Sequence, residues 1–198
     1  MKNKAQRLAC IDIGSNAIKY RQYRIATEKT KNFAELDTFK RISVRLGTDA
    51  FKFKKISSKT EQKLLESIIK LKDKADKRNV KIICGVATSA MRTVSNGHKI
   101  CKKIKKTTDI EIIILSGNEE AQLLNFFNYK DFKKEETLVI DIGGGSTEIF
   151  YRGNGKNLAK SFPLGAVRIL EKKDSPKHWN NLKEWLTKIP SENIKNIV

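Results

Sequence analysis

Two short strings carry the clearest chemical content of this 198-residue chain: Ile11-Asp12-Ile13-Gly14 and Ile140-Asp141-Ile142-Gly143. Each ends an apolar run with a carboxylate and then a glycine. Without a side chain, a glycine lets the backbone come close to an anion, and successive N–H groups in such turns form nests for phosphate oxygens. The residues expected to hold phosphate are therefore Gly14, Ser15 and Asn16 in the first copy, and Gly143, Gly144, Gly145, Ser146 and Thr147 in the second. One such string fits an ordinary hairpin turn equally well. The recurrence favours two like lobes whose facing turns clamp one phosphate chain. Neither GxxxxGK[ST] nor GxGxxG occurs, so the cradle is not a Walker loop or a dinucleotide fingerprint.

The elements that must position these turns read off as an alternating α/β pattern. Residues 8–13 are a short isoleucine-rich run, Gly14-Ser15-Asn16 interrupts it, and residues 17–25 alternate apolar and polar, which predicts a β-hairpin; residues 37–46 predict a third strand. Ser58-x-x-Glu61 has the form of a capping box, and Leu64, Leu65, Ile68, Ile69 and Leu71 follow at helical spacing, so a helix is expected over about 59–77. Strands follow at 80–86 and 111–115, with helical sequence between them that faults at Asn96-Gly97. Ser116-x-x-Glu119 starts another helix near 118, and the charged segment Asp131 to Glu136 reads as a joint between lobes. Strands at 137–142, 147–151 and 156–162 lead to a strand-to-helix turn at Pro163-Leu164-Gly165-Ala166, then to an amphipathic stretch whose Trp179 and Trp185 are expected in the core. This rhythm implies a largely parallel sheet that opens with an antiparallel hairpin. The organisation expected is a first lobe over 1–130, with the helix near 118 packed behind it, and the beginning of a truncated second lobe over 131–198.

Composition narrows the class. At 39% hydrophobic the chain can bury a sizeable core, and no run of 18 apolar residues exists; Asp12 interrupts the N-terminal apolar run, so neither membrane span nor signal peptide is expected and a cytoplasmic location follows. The formal charge of +19, from 41 Lys+Arg against 22 Asp+Glu, attracts polyanions at long range, but the excess is scattered as lysine pairs and specifies no partner. Cys10, Cys84 and Cys101 lack metal or redox spacing and read as buried thiols; His98 and His178 read as surface residues without a role.

IDIGSN (11–16), ATSAMR (87–92), SGNEEA (116–121) and DIGGGSTE (141–148) follow one another along the chain, with PLGAVR (163–168) as a fifth motif. In this order they resemble the Ppx/GppA phosphatase family. The resemblance implies the actin-like fold of the sugar kinase/heat-shock ATPase superfamily, a duplicated ribonuclease H-like α/β architecture, with the second lobe incomplete here. It implies Mg²⁺-dependent removal of terminal phosphate from polyphosphate or guanosine pentaphosphate (pppGpp). By the same resemblance Glu120 is the catalytic base, Asp141 and Glu148 belong to the magnesium site, and Arg92 holds phosphate. Chemistry agrees with those types: a glutamate can accept a proton from an attacking water, carboxylate oxygens suit Mg²⁺, and the planar guanidinium can hold two phosphate oxygens. Ala17 and Gln122 stand where the family often has serine and arginine.

Two classes of function are carried forward. One is a phosphohydrolase acting on polyphosphate or pppGpp; the other is a catalytically silent polyphosphate- or nucleotide-binding module that kept the cradle. Nucleic acid and membrane are not expected partners, and a homodimer stays open. A sugar-kinase relative using ATP fits less well, since ATSAMR and SGNEEA belong to the hydrolase branch.

Overall fold

A computed structural model describes residues 6–28, 31–126, 136–153, 155–190, 192 and 194–198. The strands are β1 (Gln6–Ile13), β2 (Ala17–Glu28), β3 (Lys31–Ser43), β4 (Lys81–Ala87), β5 (Ile112–Ile114), β6 (Thr137–Ile142), β7 (Thr147–Gly153), β8 (Lys156–Phe162) and β9 (Asn196–Ile197). The helices are α1 (Leu46–Phe53), α2 (Ser58–Asp76), α3 (Ser89–Thr93), α4 (Gly97–Thr108), α5 (Gly117–Leu123), α6 (Ala166–Leu170) and α7 (Pro176–Leu186). Backbone contacts divide the chain into two compact units, Met1–Ile114 and Leu115–Val198.

The first unit is a five-stranded sheet in the order β3-β2-β1-β4-β5. β1, β2 and β3 form an antiparallel meander, and β4 and β5 add on in parallel after helical crossovers. Alternation places Ala9, Ile11, Ile13, Ile18 and Tyr20 fully inside, together with Leu64, Ile68, Leu71 and Ala75 of α2 and Ile100 and Ile104 of α4. The face carrying Cys10, Asp12 and Cys84 is half-buried to exposed.

The second unit repeats that topology as β8-β7-β6-β9, an antiparallel meander with one parallel strand beside its first member. Leu138, Ile149, Tyr151, Phe162, Leu164, Trp185 and Ile189 form its main core. Val139 and Phe150 form a smaller cluster on the other face with Leu124 and Ala159. α5 packs on β7 and β8 in this unit.

Several expectations need correction. The helix after Ser116 packs on the second sheet, because its Ala121 and the following Leu124 find their apolar partners on β7 and β8. The cap of α2 is Ser57, which accepts from Thr60 N–H at 3.3 Å, one residue before the predicted box. α1 and the two-residue β9 were not foreseen; β9 pairs through backbone alone and needs no apolar run. Trp185 is buried, but Trp179 is 39% exposed and its indole N–H donates to Asp174 at 2.9 Å. Cys101 is buried, Cys10 is half-buried and Cys84 is exposed, since Cys10 and Cys84 lie on the open face of the first sheet. The joint placed at 131–136 lies outside the described residues apart from Glu136. No described helix is long and apolar enough to cross a membrane.

Candidate functional site

In the first unit, β1 ends at Ile13 opposite Ile18 of β2, so residues 14–17 make the hairpin turn. Gly14 N–H donates to the Ala17 carbonyl at 3.1 Å. The carbonyls inside the turn are taken up by the chain that leads into α1: Gly47 N–H donates to Ser15 at 2.7 Å, and Val44 and Arg45 N–H donate to Asn16 at 3.2 and 2.9 Å. No described group accepts from the N–H groups of Ser15 and Asn16. A turn whose carbonyls are satisfied and whose amides are not is polarised to receive an anion. Ser15 is buried and Asn16 exposed. Beside this turn, Thr88 N–H donates to the Ile13 carbonyl at 3.3 Å, which starts α3 next to Gly14. Half-buried Arg92 lies on that helix, so the first unit brings Gly14, Ser15, Asn16 and Arg92 to one end of its sheet.

The second unit builds the same device. Gly143 N–H donates to the Ser146 carbonyl at 2.9 Å. The Gly143 carbonyl accepts from Ala166 N–H at 3.0 Å, and the Gly144 carbonyl accepts from Val167 and Arg168 N–H at 2.8 and 3.1 Å. The Gly145 carbonyl accepts from the Arg168 guanidinium Nε at 2.9 Å. Again no described group accepts from the N–H groups of Gly144, Gly145 and Ser146. The segment 163–168, which runs from the expected strand-to-helix turn into α6, is thus the brace that sets the turn. Gly165 passes so close to it that a Cβ there would stand 2.4 Å from Ser146 N and 2.5 Å from Gly145 N. The Thr147 hydroxyl is buried and donates to the Leu164 carbonyl, which ties the brace to the strand.

The acidic residues gather on one face of this second sheet. Asp141 of β6 stands directly opposite Glu148 of β7, and Glu148 stands opposite Ser161 of β8. Asp141 is exposed, Glu148 is 2% exposed, and the Ser161 hydroxyl donates to Glu148 Oε1 at 2.7 Å. Val139, Phe150 and Ala159 lie one step along the same three strands on that face, and it is there that Leu124, just after α5, packs. α5 therefore carries Glu119 and Glu120 over the sheet face that bears Asp141 and Glu148. Glu119 closes the cap: Ser116 N–H donates to its Oε2 at 2.7 Å, while Glu119 N–H donates to Ser116 Oγ at 3.2 Å. Hydrogen bonding to the Ser116 side chain, and then to its backbone N–H, holds the Glu119 carboxyl below its usual range. Glu120 stays half-buried with its side chain outside the box, and its N–H donates to the Ser116 carbonyl at 3.0 Å.

No three metal-ligating side chains among the described residues converge closely enough to make an all-protein cage. The donor set nevertheless fits Mg²⁺, which keeps several waters and takes one or two carboxylates plus phosphate oxygens. Asp141 and Glu148 supply such a pair, and two carboxylates placed opposite each other across a strand pair repel unless a cation or donors relieve them. Sequence reasoning missed Val44–Gly47, Gly165 and Arg168 as the braces of the two turns. A leucine-glycine pair recurring after the third strand of each meander, Leu46-Gly47 and Leu164-Gly165, was the available signal.

Comparison with known proteins agrees with this duplicated architecture. The Ppx/GppA phosphatase family matches residues 25–197. A bifunctional 3-dehydroquinate synthase/phosphatase of Fusobacterium nucleatum is 34% identical over 178 residues, which cover 83% of this chain and 26% of that protein. The crystal structure of the Aquifex aeolicus Ppx/GppA family member superposes with a TM-score of 0.71 at 23% identity, over 93% of this chain and 61% of that one. The crystal structure of an exopolyphosphatase from Cytophaga hutchinsonii gives 0.72 at 24% identity, over 84% of this chain and 53% of that one. The chain thus spans about a quarter of the curated relative and little more than half of these solved chains. At these identities the solved structures establish the fold, the actin-like α/β architecture in which one βββ-plus-parallel-strand unit occurs twice. With the family pattern running from β2 to β9, this chain belongs to the Ppx/GppA phosphatase family.

Proposed function

We propose that the chain carries the phosphate-holding part of a Mg²⁺-dependent phosphohydrolase that removes terminal phosphate from inorganic polyphosphate or pppGpp. The observation that carries this reading is the pair of braced turns. In both, the carbonyls are occupied by a following segment while, among the described residues, no group takes the successive N–H groups, which suits them to an anion. Arg92 adds a charged fork beside the first turn. Asp141, with Glu148 behind it, would hold Mg²⁺, which when bound neutralises charge building on phosphate oxygens. Glu120 orients a water and takes its proton as the water oxygen attacks the terminal phosphorus. The P–O bond to the next phosphate breaks, and that phosphate leaves with the electron pair. Phosphoryl transfer asks mainly for positioning and charge neutralisation, which preformed backbone donors supply without reorganising.

The test is phosphate release from polyphosphate and from pppGpp, with Mg²⁺ and with chelator, alongside a direct binding measurement. Release from either substrate that stops with chelator supports the hydrolase. Binding of polyphosphate without release under any condition overturns it in favour of a silent polyphosphate-binding module.

A further inference from the structure

The open face of the first sheet holds a pair of thiols. Cys10 of β1 and Cys84 of β4 are direct partners in the parallel ladder, at the point where the register slips by one residue between Ala9 and Cys10. Partners in register on neighbouring strands point to the same side, so the two thiols stand side by side on this face. Adjacent strands lie about 4.8 Å apart. That falls within the Cα separation of roughly 4.4 to 6.8 Å that a disulfide spans. Cys84 is exposed, while Cys101 is buried on α4 away from both.

We propose that Cys10 and Cys84 form a redox-active dithiol that closes to an intramolecular disulfide when the chain meets a small-molecule disulfide such as oxidised glutathione. Exposure makes Cys84 the attacking thiol. Its thiolate displaces one thiol from the oxidant and leaves a mixed disulfide on Cys84. Cys10, as its thiolate, then attacks the Cys84 sulfur and expels the second thiol. The protein gives up two electrons and two protons and the oxidant is reduced to two thiols, so the exchange balances. Burial, followed by the neighbouring Cys84 thiol, pushes the Cys10 thiol up to about 11, which makes closure the slower step and faster at alkaline pH. Cys10 lies four residues before Gly14, and Cys84 lies four residues before Thr88, whose N–H bonds Ile13. A staple here fixes β1 against β4 just ahead of the first phosphate turn; an effect on phosphate chemistry would rest on the proposed function, whereas the thiol chemistry does not.

The experiment incubates the full chain with oxidised glutathione, then digests it and maps the cysteines by mass spectrometry. The expected product is one cross-linked peptide pair joining Cys10 to Cys84, short by two hydrogens, with Cys101 still free. Cys10→Ser should instead trap glutathione on Cys84, and Cys84→Ser should stay unmodified. Phenylarsine oxide, which bridges neighbouring thiols, should bind the reduced parent one to one and neither variant. Stable glutathionylation of Cys84 in the parent, with Cys10 still reduced and no arsenical bound, would overturn the proposal. So would a parent that reacts no further than Cys84→Ser does.

Discussion

The same nine-residue pattern is built twice, as residues 11–19 and 140–148, and the two copies differ in where charge is placed. Their backbones match: the glycine N–H closes the turn at 3.1 Å in one and 2.9 Å in the other, and an added Cβ on either glycine would meet the same carbonyl oxygen at 3.2 Å. Across the strand pair, however, Asp12 faces Lys19, with Nζ 3.6 Å from Oδ2, whereas Asp141 faces Glu148. The first copy is neutralised by its own side chains. The second sets two carboxylates opposite each other and buries one of them against a serine hydroxyl, an arrangement that costs stability unless further donors or a cation offset it. The braces diverge as well. Among the described residues the first turn is held by backbone N–H groups, the second by backbone and by the buried Arg168 guanidinium. The turn geometry is therefore common to both units, and the facing carboxylate pair belongs to the second, which also holds the proposed base Glu120.

The sharpest way to break that division is to remove the acid without moving the cradle. Glu120→Gln should lower phosphate release by about 10²- to 10⁴-fold, the usual contribution of a general base, while polyphosphate binding survives. Equal rates in variant and parent would take Glu120 out of the chemistry and point to Glu119. Gly165→Ala tests the second brace. Its Cβ would meet backbone atoms of Gly145 and Ser146 at 2.4 to 2.5 Å, and backbone cannot step aside as a side chain can. Overpacking of this kind should cost about 3 kcal/mol, seen as denaturation at lower urea, with amide exchange accelerated in 137–162 and unchanged in β1 and β4. Wild-type stability would mean that α6 does not bear on the turn.

Next in size is the charge pair itself. Glu148→Gln should weaken Mg²⁺ binding on the order of 10-fold or more, whereas Lys19→Ala, the same position of the other copy, should leave it unchanged. Calorimetric titration of Mg²⁺ in the presence of phosphate separates the two. Equal affinities in all three proteins would place the metal elsewhere and reduce the comparison to a difference in surface charge.

Much of this was legible beforehand because the sequence repeats it locally. IDIG twice, each copy at the end of an isoleucine-rich run, defines two hairpins without any knowledge of long-range packing, and Ser116-x-x-Glu119 defines its own helix start through bonds spanning three residues. Cys84 looked buried because it sits in VKIICGV, a run apolar enough for a strand covered on both faces. The sheet is covered on one face there, and periodicity inside a uniformly apolar run carries no sign of which face that is. The braces were hidden for another reason. Gly47 meets Ser15, and Arg168 meets Gly145, across 32 and 23 residues of chain. What these contacts require of the sequence is small size or a donor at one position, which no local pattern advertises. α5 was assigned to the wrong sheet on the same account, since its few apolar residues fit either.

The smallest effect concerns the cap beside the proposed base. Glu119 is the side chain that closes the box on Ser116, and the hydrogen bonds from Ser116, with its side chain and then its backbone, hold the carboxyl below its ordinary value. A carboxyl depressed in the folded state contributes stability that is fully present above its unfolded value, about 4.3 for glutamate, and that is lost as pH falls through the lower folded value. Glu119→Gln keeps an oxygen acceptor for Ser116 N–H but removes the charge, so it isolates the charged part of the contribution. Parent and variant should differ slightly in melting temperature at neutral pH, with the parent higher, because a carboxylate at a helix start also meets the favourable end of the peptide dipoles. That gap should close as pH is lowered below about 4, where the parent's own carboxyl is protonated. α1 gives the internal contrast: its cap residue, Arg45, offers no side-chain bond to the helix, and the nearby Asp49 carboxylate instead accepts Ser57 N–H at 2.9 Å. Acid loosening of the start of α5 should therefore appear in the parent and be absent in Glu119→Gln, while α1 responds identically in both. A gap between the two proteins that stays constant from neutral pH to below 3 would show that the box works through its geometry alone, and that the charge on Glu119 is free to serve the water in place of Glu120.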